Sequence, residues 1–165
     1  MTRLQNISIA VILLSLVCAR PQAANAALGG SAGSVASDAQ ILGAVAITHF
    51  SAAASNAPSL NVYAVERLTM PSGIKVNEYV GADGRVFAVS WRGMRPPDLA
   101  VLMGAYFRQY RDAAEAGGLT ALGVHHASVR ASDVAVETAG HMRDMWGRAW
   151  LPAMLPPAVD EQEIR

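Results

Sequence analysis

The chain has 165 residues, with 13 lysines and arginines against 13 aspartates and glutamates, four histidines and a single cysteine. A balanced charge with no basic stripe excludes the electrostatic footprint that holds nucleic acid or an anionic membrane surface. One cysteine excludes an internal disulfide, and the length suits one domain able to bury about two thirds of its unfolded surface.

Residues 1–26 read as a bacterial-type export signal. Arg3 supplies a short positive region, Ile7 to Ala19 an apolar core, and Ala24-Asn25-Ala26 the small-residue pattern that a signal peptidase cleaves. An uncleaved anchor is the alternative, but the apolar run covers 13 residues where a spanning helix needs ~20. Ser8 and Ser15 interrupt the run and Arg20-Pro21 closes it. A lipoprotein is disfavoured because Val17, rather than a small residue, precedes Cys18. Cleavage leaves 139 residues from Ala27, with 11 basic against 13 acidic side chains, a net charge of −2. Cys18 departs with the signal, so the mature chain has no cysteine nucleophile or thiolate metal site. The expectation is an exported protein, periplasmic or secreted, with no stable membrane insertion after cleavage.

Residues 27–59 are expected as a flexible lead-in, because Leu28 to Ser34 is dominated by Gly and Ser. A short helix follows with Ser37 or Asp38 as its cap and Ile41, Leu42 and Val45 on one face. Ser51 to Ser59 reads as a loop. Three alternating runs come next. Leu60 to Thr69 sets Val62, Ala64 and Glu66 against Tyr63, Val65 and Arg67. After the turn Pro71-Ser72-Gly73, Ile74 to Val80 puts Ile74, Val76, Glu78 and Val80 on one face and Lys75, Asn77 and Tyr79 on the other. Asp83-Gly84 then turns the chain into Arg85 to Arg92.

Pro96-Pro97 ends this meander and Asp98 caps a helix whose core stripe is Leu99, Leu102, Met103, Tyr106, Phe107 and Tyr110. Gly117-Gly118 ends it. Alternation returns in Gly123 to Arg130, Val134 to Thr138 and Met142 to Leu151, with turns at Ser132-Asp133 and Ala139-Gly140. The proline-containing tail from Leu151 should wrap the surface without regular structure. The fold class is α+β: an antiparallel sheet of two three-stranded runs, one long amphipathic helix between them and a short N-terminal helix. Residues 60–165 form the single domain.

Several ordered segments carry a resemblance. They are Ala27-Leu28-Gly29-Gly30, then Leu68-Thr69-Met70-Pro71-Ser72-Gly73 leading to Glu78-Tyr79, and Val86-Phe87-Ala88-Val89-Ser90-Trp91. The pattern continues through Pro97-Asp98-Leu99, Leu102-Met103-Gly104-Ala105-Tyr106-Phe107, Gly140-His141-Met142 and Gly147-Arg148-Ala149-Trp150-Leu151-Pro152. This set, spanning nearly all of the mature chain, resembles the bacterial exported family catalogued as domain of unknown function 2844. The resemblance implies export and one small domain, and it brings no activity or catalytic residue. Two positions depart from it: Asn77, where a basic residue is expected before Glu78-Tyr79, and Gly93-Met94, where a Gly-Pro step is expected.

Few residues offer chemistry. His125 and His126 are strand neighbours that point to opposite faces, so they cannot readily chelate one ion. His126 with His141 would need a favourable register, and no carboxylate is spaced to complete a metal site. No Gly-x-Ser-x-Gly elbow frames a serine. Glu78 shares a face with apolar residues and would need a partner, for which Arg85, Arg92 and Arg148 are the strand-borne arginines available. Trp91, Tyr106 and Tyr110 suit core packing, whereas Trp146 and Trp150, four apart on one strand face, could line a groove for an apolar or sugar ligand. The candidate interaction residues are Glu78, Trp91, His126, His141, Trp146 and Trp150, with no catalytic residue, metal or cofactor assigned. The sequence points to a non-enzymatic binding, structural or assembly module of the envelope, its partner another envelope or secreted protein rather than nucleic acid. The alternative is a small cofactor-free hydrolase pairing a histidine with a carboxylate.

Overall fold

The computed structural model describes the backbone of residues 27–54, 57–123 and 126–165, and the side chains of these outside 53–62 and 118–123. The export signal read in residues 1–26, and His125, lie outside the described residues. Eight strands form one antiparallel sheet: β1 (Ala46–Ala54), β2 (Ala57–Thr69), β3 (Lys75–Gly81), β4 (Val86–Gly93), β5 (Leu119–Gly123), β6 (His126–Arg130), β7 (Ala135–His141) and β8 (Asp144–Trp150). Their spatial order is β1-β2-β3-β4-β8-β7-β6-β5. Two four-stranded meanders therefore meet at the β4–β8 pair in the centre of the sheet, where Ser90 opposes Arg148 and Arg92 opposes Trp146.

Between the meanders run helices α2 (Leu99–Met103) and α3 (Ala105–Ala113), preceded in the chain by α1 (Val35–Leu42). Strand alternation splits the buried side chains into two cores. On the helix side, Leu68, Val76, Val89, Trp91, Val136 and Ala149 pack with Leu28, Val35, Leu102 and Met103. On the other side, Val65, Tyr79, Phe87, Ala88 and Trp150 are covered by Val159 and Ile164 of the C-terminal tail. Covering on both faces explains why β3 and β4 are buried almost continuously, since a sheet wetted on one side would bury every second residue.

The expected α+β class and antiparallel pairing stand, while the detail of the arrangement differs. Each three-stranded run gains a strand at its outer edge. β1 runs through Ser51 to Ala54, the first part of the segment read as a loop, and β2 begins at Ala57 within its end; the Ala-rich end of β1 is held to β2 by main-chain pairing. β5 pairs with β6 in the same way. The turn expected at Ala139-Gly140 falls instead after β7, with Arg143 at φ 68°.

The single long helix is broken into α2 and α3 at Gly104, whose φ 48°, ψ −120° is open to glycine and strained for other residues. Asp98 caps α2 as expected, accepting from the Ala100 and Val101 N–H groups. At the N-terminal side, Ala27 and Leu28 are buried. The Leu28 N–H donates to the Leu102 carbonyl at 2.9 Å, and Gly29 and Gly30 exchange main-chain bonds with Val86. α1 starts after Ser34 without a side-chain cap, and Asp38 lies within it; Ile41 and Val45 are exposed rather than core-facing.

Candidate functional site

On the tail side of the sheet the register lines side chains up in rows that cross the strands. One row runs Arg67, Asn77, Ser90, Arg148, Glu137 and Ser128 across β2, β3, β4, β8, β7 and β6. The next runs Thr69, Lys75, Arg92, Trp146, Ala139 and His126 over the same strands. A third, of Val65, Tyr79, Ala88, Trp150, Ala135 and Arg130, is the apolar floor on which the tail packs.

The first row is a chain of hydrogen bonds. Arg67 Nε donates to Asn77 Oδ1 at 2.8 Å, Asn77 Nδ2 to Ser90 Oγ at 3.2 Å, and Tyr79 Oη lies 3.2 Å from the same hydroxyl. The tail closes this network, because the Arg165 main-chain oxygen accepts from Asn77 Nδ2 and from Tyr79 Oη, and Arg165 N–H donates to Tyr79 Oη. Arg148 is buried and donates through Nε and Nη2 to a single oxygen of Glu137, at 3.0 and 2.6 Å, while Nη1 donates to the Glu161 carbonyl. Burial of both partners makes this a structural ion pair rather than a mobile surface one.

Between this network and the second row lies a cleft of about 440 Å³, within the range of small-molecule sites. Its lining holds five basic residues, Arg67, Lys75, Arg92, Arg148 and Arg165, with Trp146 as the half-buried aromatic. Among the described residues no aspartate or glutamate lines it. Arg92 is held by Asp144 through a two-pronged pair at 2.9 and 2.7 Å, which keeps the Asp144 carboxyl below the usual carboxylate range. Lys75, directly opposite Arg92 across β3 and β4, has no such partner among the described residues. Glu163 belongs to a neighbouring depression beside Arg67 and Arg165.

The six sequence candidates are dispersed over this frame. Trp146 lines the cleft, and Trp150, on the same strand face, is buried beneath the tail with the Arg148 and Arg130 guanidinium groups at 5.3 and 5.5 Å from its ring. Only one of the two tryptophans is therefore placed to meet a ligand. Trp91 also borders the cleft, but it is almost wholly buried and its ring lies in the helix-side core against Gly147. The His126 ring lies 5.8 Å from Trp146 and tilted to it by 50°, and its Nε2 is 4.0 Å from Glu137 Oε2, beyond hydrogen-bond reach. Glu137 is already committed to Arg148, which leaves His126 no free carboxylate to orient it. His141 is exposed at the end of β7, opposite Asp144. A histidine–carboxylate hydrogen bond forms elsewhere, between His49 Nδ1 and Glu66 Oε1 on β1 and β2. Among the described residues no group of three or more His, Cys, Asp or Glu side chains could hold a metal ion.

Glu78 meets none of the arginines expected for it. Arg85 donates to the Gly29 carbonyl, Arg92 to Asp144 and Arg148 to Glu137. The pleat turns Glu78 to the helix side, where it is fully buried and neither carboxylate oxygen has a hydrogen-bond partner. Burial pushes its carboxyl up to about 8, and the charges of Asp38 and Glu66 act in the same direction. Asp38, carried over it by α1, is also fully buried and is raised by burial to about 6. Ser34 lowers that value, although its hydroxyl proton is given to the Ser31 carbonyl, so it helps Asp38 little. At neutral pH the protonated form of Glu78 is the stable one, an acid kept neutral by its apolar surroundings.

The cleft residues Arg67, Lys75, Asn77, Arg92 and Arg165 were outside the sequence candidates. The alternation had already put Lys75 and Asn77 on one face of β3, and only their neighbours across the sheet were missing.

The family model described as protein of unknown function (DUF2844) matches residues 24–164. No curated protein and no solved structure matches. No helix among the described residues is long and apolar enough to cross a membrane.

Proposed function

This chain belongs to the protein family of unknown function DUF2844, and on that premise we propose that it is an exported, non-enzymatic binding module of the cell envelope, with the tail-side cleft as its binding site. One observation carries the reading: the cleft gathers five cationic side chains and a half-buried tryptophan, with no aspartate or glutamate among its described lining residues. Concave shape with a few convergent polar groups is the usual mark of a ligand site. The polar floor is preorganised, since Asn77 and Ser90 are buried and hydrogen-bonded to each other, and the buried Arg148 is fixed by Glu137. Export is supported by the Arg3, Ile7–Ala19 and Ala24-Asn25-Ala26 pattern. The histidine hydrolase ranks below this reading, because Glu137 is held by Arg148 and stands 4.0 Å from His126.

Native mass spectrometry of the protein, expressed as the full chain and incubated with envelope extract, tests the reading. A bound species carried by the wild type and lost from the Lys75→Glu, Trp146→Ala double variant is the expected result. A spectrum with no bound species, together with turnover of an ester or amide substrate that His126→Ala abolishes, overturns the binding module in favour of the hydrolase. N-terminal sequencing of the same sample should begin at Ala27.

A further inference from the structure

Lys75 and Arg92 are direct cross-strand partners on the same face of the sheet. Like charges in that position are destabilising, and strand pairs usually avoid them or set opposite charges there. Arg92 has part of its charge answered by Asp144, while Lys75 is answered by nothing in the described residues. The next residue along the row, opposite Arg92, is Trp146, so an exposed cation pair stands beside an aromatic face. The Arg67 and Arg165 side chains add positive charge to the lining of the cleft. Asp144 answers Arg92 alone, so Lys75 is left as a cation on the rim of the cleft whose counter-charge a ligand can supply.

We infer that the cleft takes a small organic anion, its charged group seated between Lys75 and Arg92 and its flat apolar body lying against Trp146. This deepens the reading of the cleft as a binding site and rests on it. The chemistry follows from the two halves of the site. The Lys75 ammonium, cross-strand from an Arg92 guanidinium that gives two of its five N–H donors to Asp144, favours a carboxylate, sulfonate or phosphate oxygen, and charge-assisted hydrogen bonds are the strong ones. The indole, backed at 5.8 Å by the His126 ring, offers an apolar face that a fully hydrated inorganic anion would leave unused. The volume of about 440 Å³ holds one small molecule and excludes most of a polymer. Sulfate alone should therefore bind weakly, and a neutral aromatic should bind without orientation.

The experiment uses three probes of known charge against the full chain: 2-naphthoate, the isosteric neutral 2-naphthamide, and inorganic sulfate. Titrations are followed by nuclear magnetic resonance at the Trp146 indole N–H and at the main-chain N–H groups of Lys75 and Arg92. The naphthoate should bind about tenfold more tightly than the amide, as one charge-assisted hydrogen bond would give. Lys75→Gln should remove most of that difference while leaving the amide unchanged, a readout that a merely structural role would not produce. The exposed position of Lys75 keeps this variant folded. Equal affinity of naphthoate and amide overturns the anion assignment and leaves the cleft as an apolar binding site. Absence of resonance changes at the cleft with every probe overturns the inference as well, while the extract experiment still judges whether the protein binds anything.

Discussion

Arg148 on β8 gives two hydrogen bonds to one oxygen of Glu137 on β7, and its third nitrogen reaches the tail at the Glu161 carbonyl. The guanidinium thus joins the sheet to the segment that covers it. Side-chain exposure is 6% for Arg148 and 10% for Glu137, so either charge left alone would be an uncompensated buried ion. Glu137→Leu or Arg148→Met should each cost about 3–5 kcal/mol in urea unfolding. The double replacement Arg148→Met, Glu137→Leu should recover much of that loss. Additive losses in the double variant would show that the pair is not coupled.

Stability should fall as pH rises from about 5 to about 8. The folded protein holds a proton on Glu78 up to about 8, where an ordinary glutamate releases it near 4.5. The folded state therefore binds more protons across that window, and the stabilisation is complete below the lower value and lost through the upper one. Asp38, raised from 3.8 to about 6, acts in the same direction at the acid end of the window. A tenfold difference in proton affinity between the folded and unfolded chain corresponds to about 1.4 kcal/mol, so the whole change amounts to a few kcal/mol. Glu78→Gln cannot ionise and should flatten the slope, gaining on the wild type at pH 8. Urea midpoints at pH 5, 6.5 and 8 decide this, and parallel curves for the two proteins would refute it.

Gly147 sits under Trp91, and a Cβ added there would lie 2.2 Å from the ring and 3.0 Å from the Glu137 carbonyl oxygen. Neither the ring nor the backbone can withdraw in a sheet covered on both faces. Gly147→Ala should destabilise the protein by about 1–3 kcal/mol or more, as overpacking does. Trp91→Leu added to it should restore part of the loss by vacating the space. A thermal melt of Gly147→Ala at the wild-type temperature would remove this account of the glycine.

Ile164 is 1% exposed and anchors the tail over Tyr79, Phe87 and Trp150. Ile164→Ala should cost about 2–4 kcal/mol through the cavity it leaves. It should also weaken binding of 2-naphthoate in the cleft, because Arg165 and Gln162 line that cleft from the same tail. Unchanged affinity in a folded Ile164→Ala protein would show that the tail covers the sheet without shaping the site.

The residues of β2, β3 and β4 announce their strands, and those of β2 and β3 their faces, because side-chain alternation is a local property of the pleat; the bulge at Phe87 exchanges the faces expected for Val86 and Phe87 in β4. Leu60 to Thr69, Ile74 to Val80 and Arg85 to Arg92 coincide with these strands to within a few residues. β1 and β5 escape such a reading: the Ser51–Ala54 end of β1 and the five residues of β5 give little side-chain alternation, and their pairing comes from the backbone. The break at Gly104 escapes it too, because the core stripe continues past the glycine and hides the change of direction. The ordered segments from Ala27 to Pro152 carry the family.

Sequence alone therefore determined the α+β class, the family, the helix cap at Asp98 and which side chains of β3 share a face, while in β4 a bulge at Phe87 puts Phe87 beside Ala88 and Val86 with Val89 and Trp91. Tertiary structure alone decided which faces meet. The β4–β8 pairing joins strands far apart in the chain, and its register has no local signature, yet it sets Ser90 against Arg148 and Arg92 against Trp146. The pleat of β3 turns Glu78 away from Arg92 and Arg148, toward the charges of Asp38 and Glu66. Charges evenly scattered along the sequence become a cationic cleft on one face and a buried acid pair on the other, because cross-strand distance depends on register and pleat rather than on sequence separation.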